Sequence, residues 1–383
     1  MNLAPTQHKN NHLHHDLVFP ILLKLPAKSL FRFKLLSNFW HDQISNPYFQ
    51  DMYHKQAKKN PNFLFCRNIF RSKETGAENK TKNVWKSFNS KTRLVNDAFT
   101  TMGKVLSIKT VTCQSMVCFL STKNDNDIQV SLYCFRTEKL VVLPMDPSSG
   151  FYKGMIIGFG IGYISYTKTY KVALLYIPDD ETNQMLPNSF NCQIIEVSNS
   201  HDGDGNRNYS NWRKIEETFY DLVNNFHPPV SIENTTYWKF FNHACILSFD
   251  FENENFGIKY YPDEIDFSFN KTDNMFLLDF NGKLGLAEVC SKSHESYFTM
   301  VIWNLHDHGA NNWEKVYRVS LKVTRLNFLR GLSCMYLQDE EIIISSIGCL
   351  ILYNLKKHTF KILDIDVSTN HTLVGMYYEN LYI

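Results

Sequence analysis

Apolar and polar positions follow two different rhythms along this chain. Near the start, Leu17, Ile21 and Leu25 recur at i, i+4 and i+8, which is the spacing of one helix face, and Pro26 is expected to stop that helix. A second helix is predicted from Lys28 onward. It is apolar on two sides: Leu30, Phe33 and Trp40 follow one stripe, while Phe31, Leu35 and Phe39 follow another. A unit of fewer than about 40 residues seldom encloses a stable core alone. One stripe therefore needs a cover, from another molecule or from the rest of the chain.

From about residue 110 the rhythm changes to short runs rich in Val, Ile, Phe and Tyr, separated by Asn, Asp and Gly. That is the texture of strands and turns. A crude unit recurs: an apolar strand, a polar turn, then an aromatic followed by Lys and another short strand. Copies are SLYCFRTEKLVVLP, CQIIEVSNS with NWRKIEE, ILSFDFENENFGIKYYP, VIWNLHDHGANNWEKVYRV and LILYNLKKHTFKILDI, starting about 50–60 residues apart. Strands in groups of about four at such a period are the mark of a β-propeller; a plain sandwich needs no long-range repeat. Five units read clearly. A sixth would close the ring if GMYYENLYI at the end paired with NFLFCRNIF near the beginning, removing exposed edges.

The chain is thus expected to be an α+β multidomain protein, a small helical module followed by a mainly-β propeller-like domain. Its predicted parts are a disordered N-terminus (1–11), the helical module (12–58), a basic linker with first strands (59–109) and the propeller (110–383).

Two resemblances sharpen this. The run Leu13, Asp16, Leu17, Ile21, Leu22, Leu25-Pro26, Lys28-Ser29-Leu30, Arg32-Phe33-Lys34, Ser37, Trp40 and Ile44 closely resembles a plant F-box. The strings YKVALLYI, NWRKI, YWKF, ILSFDFENENFGIKYYP, GKLGLAEV, NWEKVYRV and LILYNLKKHTFKIL resemble the F-box-associated (kelch or galactose-oxidase-like) propeller of plant F-box proteins. The resemblance implies a substrate-recognition adaptor of an SCF-type ubiquitin ligase, non-catalytic itself. Its partners would be a Skp-type adaptor, through it a cullin, and an unknown protein target held by propeller loops. It also implies the adaptor contacts: Leu17, Ile21, Leu22, Leu25, Pro26, Leu30, Phe33, Leu35, Trp40 and Ile44. Three positions depart from the family pattern: His14 for the usual Pro, Pro20 for Glu and Asn38 for Lys. Pro20 is harmless if the first helix starts near Val18, so that it falls in the first turn, and disruptive if the helix starts at Leu13. The rival reading is a propeller-based protein- or carbohydrate-binding module with a degenerate F-box.

Composition adds limits. Net charge is +2, which points to neither nucleic acid nor membrane. Lys55 to Arg93 holds eleven Lys/Arg against Glu74 and Glu78, but the polar SKETGAENKTKN within it reads as a solvated linker. No signal peptide and no apolar window of about 18 residues is seen, so the expected location is cytoplasm or nucleus. The nine cysteines should then be thiols, and the sequons at Asn79, Asn208, Asn234, Asn270 and Asn370 chance matches.

No cofactor, metal or catalytic group is expected. Gly158-Phe-Gly160-Ile-Gly162 lies in a strand-like run with no helix after it, so it reads as a bulge or bend rather than a phosphate loop. Asp202-Gly-Asp204-Gly-Asn206 lacks the acidic residue a calcium loop needs at its twelfth position, where Arg213 stands. His12, His14 and His15 have no suitably spaced metal partners, and His306-Asp307-His308 reads as a turn. Trp85, Trp212, Trp238 and Trp313 are expected in inter-blade packing.

Overall fold

A computed structural model describes residues 15–379 and 381, apart from 71–80, 123–127, 146–154, 178–189, 199–208, 220–227, 241–244, 266–273, 292–296, 308–310, 323–333, 365–370 and the single positions 90, 91, 93, 103, 339, 347 and 348. The chain forms two compact units. One comprises the N-terminal residues to Lys58 together with Glu379–Tyr382, and the other Lys59–Tyr378.

The first unit is built on four short helices: α1 (His15–Leu22), α2 (Ala27–Lys34), α3 (Asn38–Ser45) and α4 (Pro47–Lys58). The single long helix expected from Lys28 is therefore two. Ser37 takes an extended backbone and its hydroxyl accepts the Trp40 N–H at 3.4 Å, starting α3 afresh. Pro47 opens α4, where its missing N–H costs nothing, and the Asn46 side chain accepts the Tyr48 N–H at 2.8 Å. The core is built from Leu22, Ala27, Leu30, Ile44, Phe49 and Tyr53, with Phe31, Phe33 and Trp40 packed around it.

Among the described residues, the second unit is a propeller of six four-stranded antiparallel groups, the fifth and sixth joined into one eight-stranded sheet by a single parallel pair, Phe280 opposite Leu337. The chain enters it through β1 (Asn62–Phe70), β2 (Thr81–Asn89) and β3 (Val95–Met102). The second blade is β4 (Lys104–Cys113), β5 (Met116–Thr122), β6 (Ile128–Cys134) and β7 (Lys139–Val142). The third is β8 (Met155–Ile164), β9 (Thr169–Ile177), β10 (Phe190–Ser198) and β11 (Arg213–Phe219). The fourth is β12 (Val230–Ile232), β13 (Thr235–Lys239), β14 (Cys245–Asp250) and β15 (Asn255–Tyr260). The fifth is β16 (Met275–Phe280), β17 (Lys283–Ser291), β18 (Tyr297–Asp307) and β19 (Asn312–Lys322). The sixth is β20 (Cys334–Gln338), β21 (Glu341–Ser346), β22 (Cys349–Asn354) and β23 (Thr359–Asp364). Finally β24 (His371–Tyr377) pairs antiparallel with β1, Asn62 opposite Tyr377 and Phe63 opposite Met376, and closes the ring. β1 has the expected partner at the end of the chain, but the pairing strand is His371–Tyr377; of the expected GMYYENLYI only Gly375–Tyr377 belong to it. Within the stretch expected to hold a basic linker and first strands (59–109), the described residues form β1, β2, β3 and the start of β4; residues 71–80, with most of SKETGAENKTKN, lie outside the described residues. In β1 the consecutive Phe63, Leu64, Phe65 and Cys66 are all buried, and in β2 Trp85 and Phe88 are.

Apolar clusters are shared by successive blades. Ala173, Leu175 and Ile194 of the third blade pack with Trp238, Leu247 and Phe249 of the fourth. The three glycines of β8 have their reason here. A Cβ on Gly160 would stand 2.7 Å from the Thr236 hydroxyl and 2.8 Å from the Trp238 ring, and one on Gly162 would collide with Phe251. Bare backbone lets Trp238 reach in and donate its indole N–H to the Phe159 carbonyl at 3.1 Å. The β8–β9 register also shifts between Ile156 and Gly158, the bulge expected of this run.

Not all the tryptophans behave as expected. Trp85 and Trp238 are buried, whereas Trp212 and Trp313 are half-exposed near the starts of outer strands. Each of these two clasps an adjacent blade: Trp212 donates to the Pro144 carbonyl at 2.6 Å, and Trp313 to the Tyr260 carbonyl at 2.8 Å. The repeated NW dipeptide is thus an inter-blade latch, and Trp313 also packs against the apolar cluster shared by the fourth and fifth blades, as expected.

An ion-pair group also joins the third and fourth blades. Lys171 lies 2.5 Å from Glu254 and 3.8 Å from Glu196, and Arg213 bonds Glu254 as well. Burial pushes the Glu254 carboxyl upward, but the hydrogen bonds and charges of Arg213 and Lys171 outweigh it and hold it below its ordinary value. A carboxyl lowered on folding stabilises above its unfolded value and loses that contribution as pH falls through the folded one. The melting difference between the natural chain and Glu254→Gln should therefore be largest near neutrality, shrink as pH falls below about 4.5, and vanish only below the lowered folded value. Melting curves of both across that range check it; a difference independent of pH would remove Glu254 from the balance.

The seven cysteines whose side chains are described are free thiols. Cys66, Cys113, Cys118, Cys134, Cys192 and Cys245 are buried, and Cys290 is exposed. Burial pushes the Cys113 thiol up to about 12 and raises Cys66 and Cys118 too. Native alkylation followed by peptide mass spectrometry is expected to modify Cys290 before any of these six, which should react only in denaturant. Among the described residues no helix is long and apolar enough to cross a membrane.

Candidate functional site

The helical unit presents what the propeller interior hides. Along α1, Leu17, Pro20 and Ile21 fall at i, i+3 and i+4, one face of the helix, and all three are exposed. At the α2–α3 break Leu35 and Leu36 stand 87% and 69% exposed, and Phe39 is exposed beyond them. An aromatic chain leads inward from Phe39: its ring lies 5.0 Å from Trp40, which lies 6.1 Å from Phe33, both edge-to-face. The six exposed apolar side chains make two patches, one on α1 and one at the α2–α3 break, and such exposure on so small a unit is the mark of protein binding.

Against the sequence expectation the positions divide in three. Leu17, Ile21, Pro26 and Leu35 are exposed. Leu25, Phe33 and Trp40 are half-buried, touching the core and showing an edge. Leu22, Leu30 and Ile44 are sealed inside, at 5%, 0% and 0% exposure, and belong to the module's own core. Periodicity groups residues by face but does not say which face turns inward. Leu36 and Phe39 are absent from the expected contact set, although Ser37, three residues before Trp40, is the capping signal that throws them outward.

Pro20 does not fall in the harmless first-turn branch of the expectation. α1 runs at least from His15, the first described residue, so Pro20 lies inside the helix, past its first turn, with no N–H for the Asp16 carbonyl. The helix survives one further turn: Leu23 N–H bonds the Phe19 carbonyl at 3.1 Å. It then tightens through i to i+3 bonds from Lys24 to Ile21 and from Leu25 to Leu22. The exposed proline ring becomes part of the apolar face.

A cavity among the inner strands, lined by Val111, Thr112, Ser231, Asp279, Tyr336 and Met376, has a volume of about 20 Å³, room for roughly one water. Among the described residues no three His, Cys, Asp or Glu side chains gather as a metal ion requires. His306 pairs with Glu314 at the surface. The segment Asp202–Asn206 and residues His12, His14 and His308 lie outside the described residues.

Comparison with known proteins agrees with this division. Residues 11–51 match the F-box domain and residues 69–381 the F-box associated beta propeller domain. F-box/kelch-repeat protein At4g19930 of Arabidopsis thaliana is 24% identical over 93% of this chain and 86% of its own length. F-box protein At1g30790 of the same plant is 25% identical over 80% of this chain and 74% of its own. Among solved structures, TolB from Acinetobacter baumannii superposes with a TM-score of 0.42 at 10% identity, covering 81% of this chain and 66% of that one. With an F-box matched to the helical unit and the family's propeller matched to most of the remaining chain, the protein belongs to the F-box proteins that carry an F-box-associated β-propeller.

Proposed function

We propose that this protein is the substrate-recognition adaptor of an SCF-type ubiquitin ligase. The F-box docks on a Skp-type adaptor and through it on a cullin, and the propeller holds a target protein. The observation that carries the reading is the exposed apolar surface of the F-box, in two patches: Leu17, Pro20 and Ile21 on α1, and Leu35, Leu36 and Phe39 at the α2–α3 break. An F-box domain in general implies Skp binding, and the family is typically non-catalytic. The effect on the target is proximity: a bound target sits at high effective concentration near the ubiquitin-charged enzyme. Cytoplasm and nucleus are the places where this would happen.

Pro20 inside α1 favours a second reading, a propeller-based binding protein whose F-box no longer docks. One experiment separates the two. The full chain is mixed with a purified Skp-type adaptor, and complex formation is measured by size-exclusion chromatography and calorimetry, alongside Pro20→Glu. A one-to-one complex with the natural chain supports the ligase reading. No complex with the natural chain, but a complex with Pro20→Glu, supports the degenerate F-box. No complex with either removes the ligase role.

A further inference from the structure

The end of the chain is part of the F-box interior. Leu381 is fully buried in the same cluster as Leu22, Ala27, Leu30, Ile44 and Phe49. Two residues earlier, the Glu379 carboxylate accepts the N–H of Ala27, the first residue of α2, at 2.6 Å. The same oxygen lies 3.2 Å from the Tyr53 hydroxyl of α4, which is also 3.1 Å from the Leu25 carbonyl. The N-cap position of α2 is Pro26, whose side chain makes no capping bond, and its first turn holds no acidic residue. Glu379 supplies both, an acceptor and a negative charge at the helix N-terminus, from more than three hundred residues away. Burial, then the Glu379 charge, push the Tyr53 phenol upward, which keeps it a protonated donor.

How the tail reaches this position matters as much as what it touches. β24 ends at Tyr377, paired with Asn62, and Tyr378 N–H bonds the Gln114 carbonyl at 3.0 Å. Glu379 is the next residue. The residues that complete the F-box core are thus the immediate continuation of the strand that closes the propeller.

We propose that Glu379 and Leu381 are positioning residues for the docking face, so that the F-box is completed only in chains whose closing strand is seated. A chain truncated or misfolded at its last blade then lacks a finished F-box, and an adaptor without a working target site is kept out of the ligase. The docking part of this proposal rests on the adaptor reading above.

The test uses the full chain, Leu381→Asp, Glu379→Gln and a chain ended after Tyr378. Hydrogen exchange of the helical and strand peptides is followed by mass spectrometry, and affinity for a purified Skp-type adaptor is measured in parallel. Leu381→Asp and the shortened chain are expected to exchange the α1–α4 amides about tenfold faster or more, with the strands unchanged. They should also bind the adaptor about tenfold more weakly or worse. Glu379→Gln keeps an acceptor oxygen but not the charge, and should give a smaller acceleration centred on the start of α2. Unchanged exchange in Leu381→Asp and in the shortened chain would overturn the proposal, as would faster exchange with undiminished adaptor affinity. If Leu381→Asp also loosens the strands, Glu379→Gln decides: acceleration confined to the α2 peptide supports the proposal, and none there overturns it. Should the natural chain bind no adaptor, the ligase reading falls, and the exchange data alone judge whether the tail completes the F-box.

Discussion

Trp238→Ala is expected to be among the most damaging truncations in the propeller, costing about 3–5 kcal/mol, the range for removing a buried aromatic. The ring fills the space left by Gly158 and Gly160 on the neighbouring blade, and its N–H satisfies the Phe159 carbonyl across that interface. Truncation would leave a cavity between two backbones and a buried acceptor without its donor. The inverse change, Gly160→Val, drives a side chain into the Trp238 ring and should cost a comparable amount through overpacking. Trp313→Ala makes the control. It removes a half-exposed latch with one hydrogen bond, and about 1–2 kcal/mol is expected. Because β24 closes the ring, each variant should lower one cooperative transition rather than release a single blade. Calorimetry compares them directly; Trp238→Ala melting no lower than Trp313→Ala would contradict the assignment of Trp238 to the inter-blade core.

Ile21→Asp is expected to weaken adaptor binding by roughly 100-fold or more, through loss of a central apolar contact and burial of an unpaired charge. The same change should leave both units folded, since Ile21 is exposed in the free chain and surface substitutions seldom matter to stability. Leu30→Asp is the informative contrast. Leu30 has no exposed surface, so a charge there should unfold the helical unit and abolish binding by a different route. Circular dichroism and adaptor titration together separate the two. Tight binding by Ile21→Asp would place the docking face elsewhere on the F-box, and the face of Leu36 and Phe39 would be tested next by Phe39→Asp.

Much of this architecture can be read from residue order. The i, i+4 spacing of Leu17 and Ile21 and the stop at Pro26 describe α1 and its end. The repeated strand–turn–aromatic unit announces blades, because turns such as those ending at Glu138, Glu254 and His358 reuse one geometry with positive φ at the last residue. The pairing of the first and last strands was legible too, since a ring of sheets must hide its edges.

Other features depend on distances that no local pattern carries. Two apolar stripes on one predicted helix are equivalent by period; only packing shows that Leu30 and Ile44 turn inward while Leu35 and Phe39 remain in water. Three glycines in β8 read equally well as a bend until the neighbouring Trp238 and Phe251 are seen to need their space. Sequence by itself determined that a small helical module precedes a run of β-blades, since periodicity and turn chemistry are local properties, while naming that module an F-box took its resemblance to the family. Only the tertiary structure decided which F-box side chains face outward and that Glu379 and Leu381 finish its core, since such contacts join residues that the chain keeps more than three hundred positions apart.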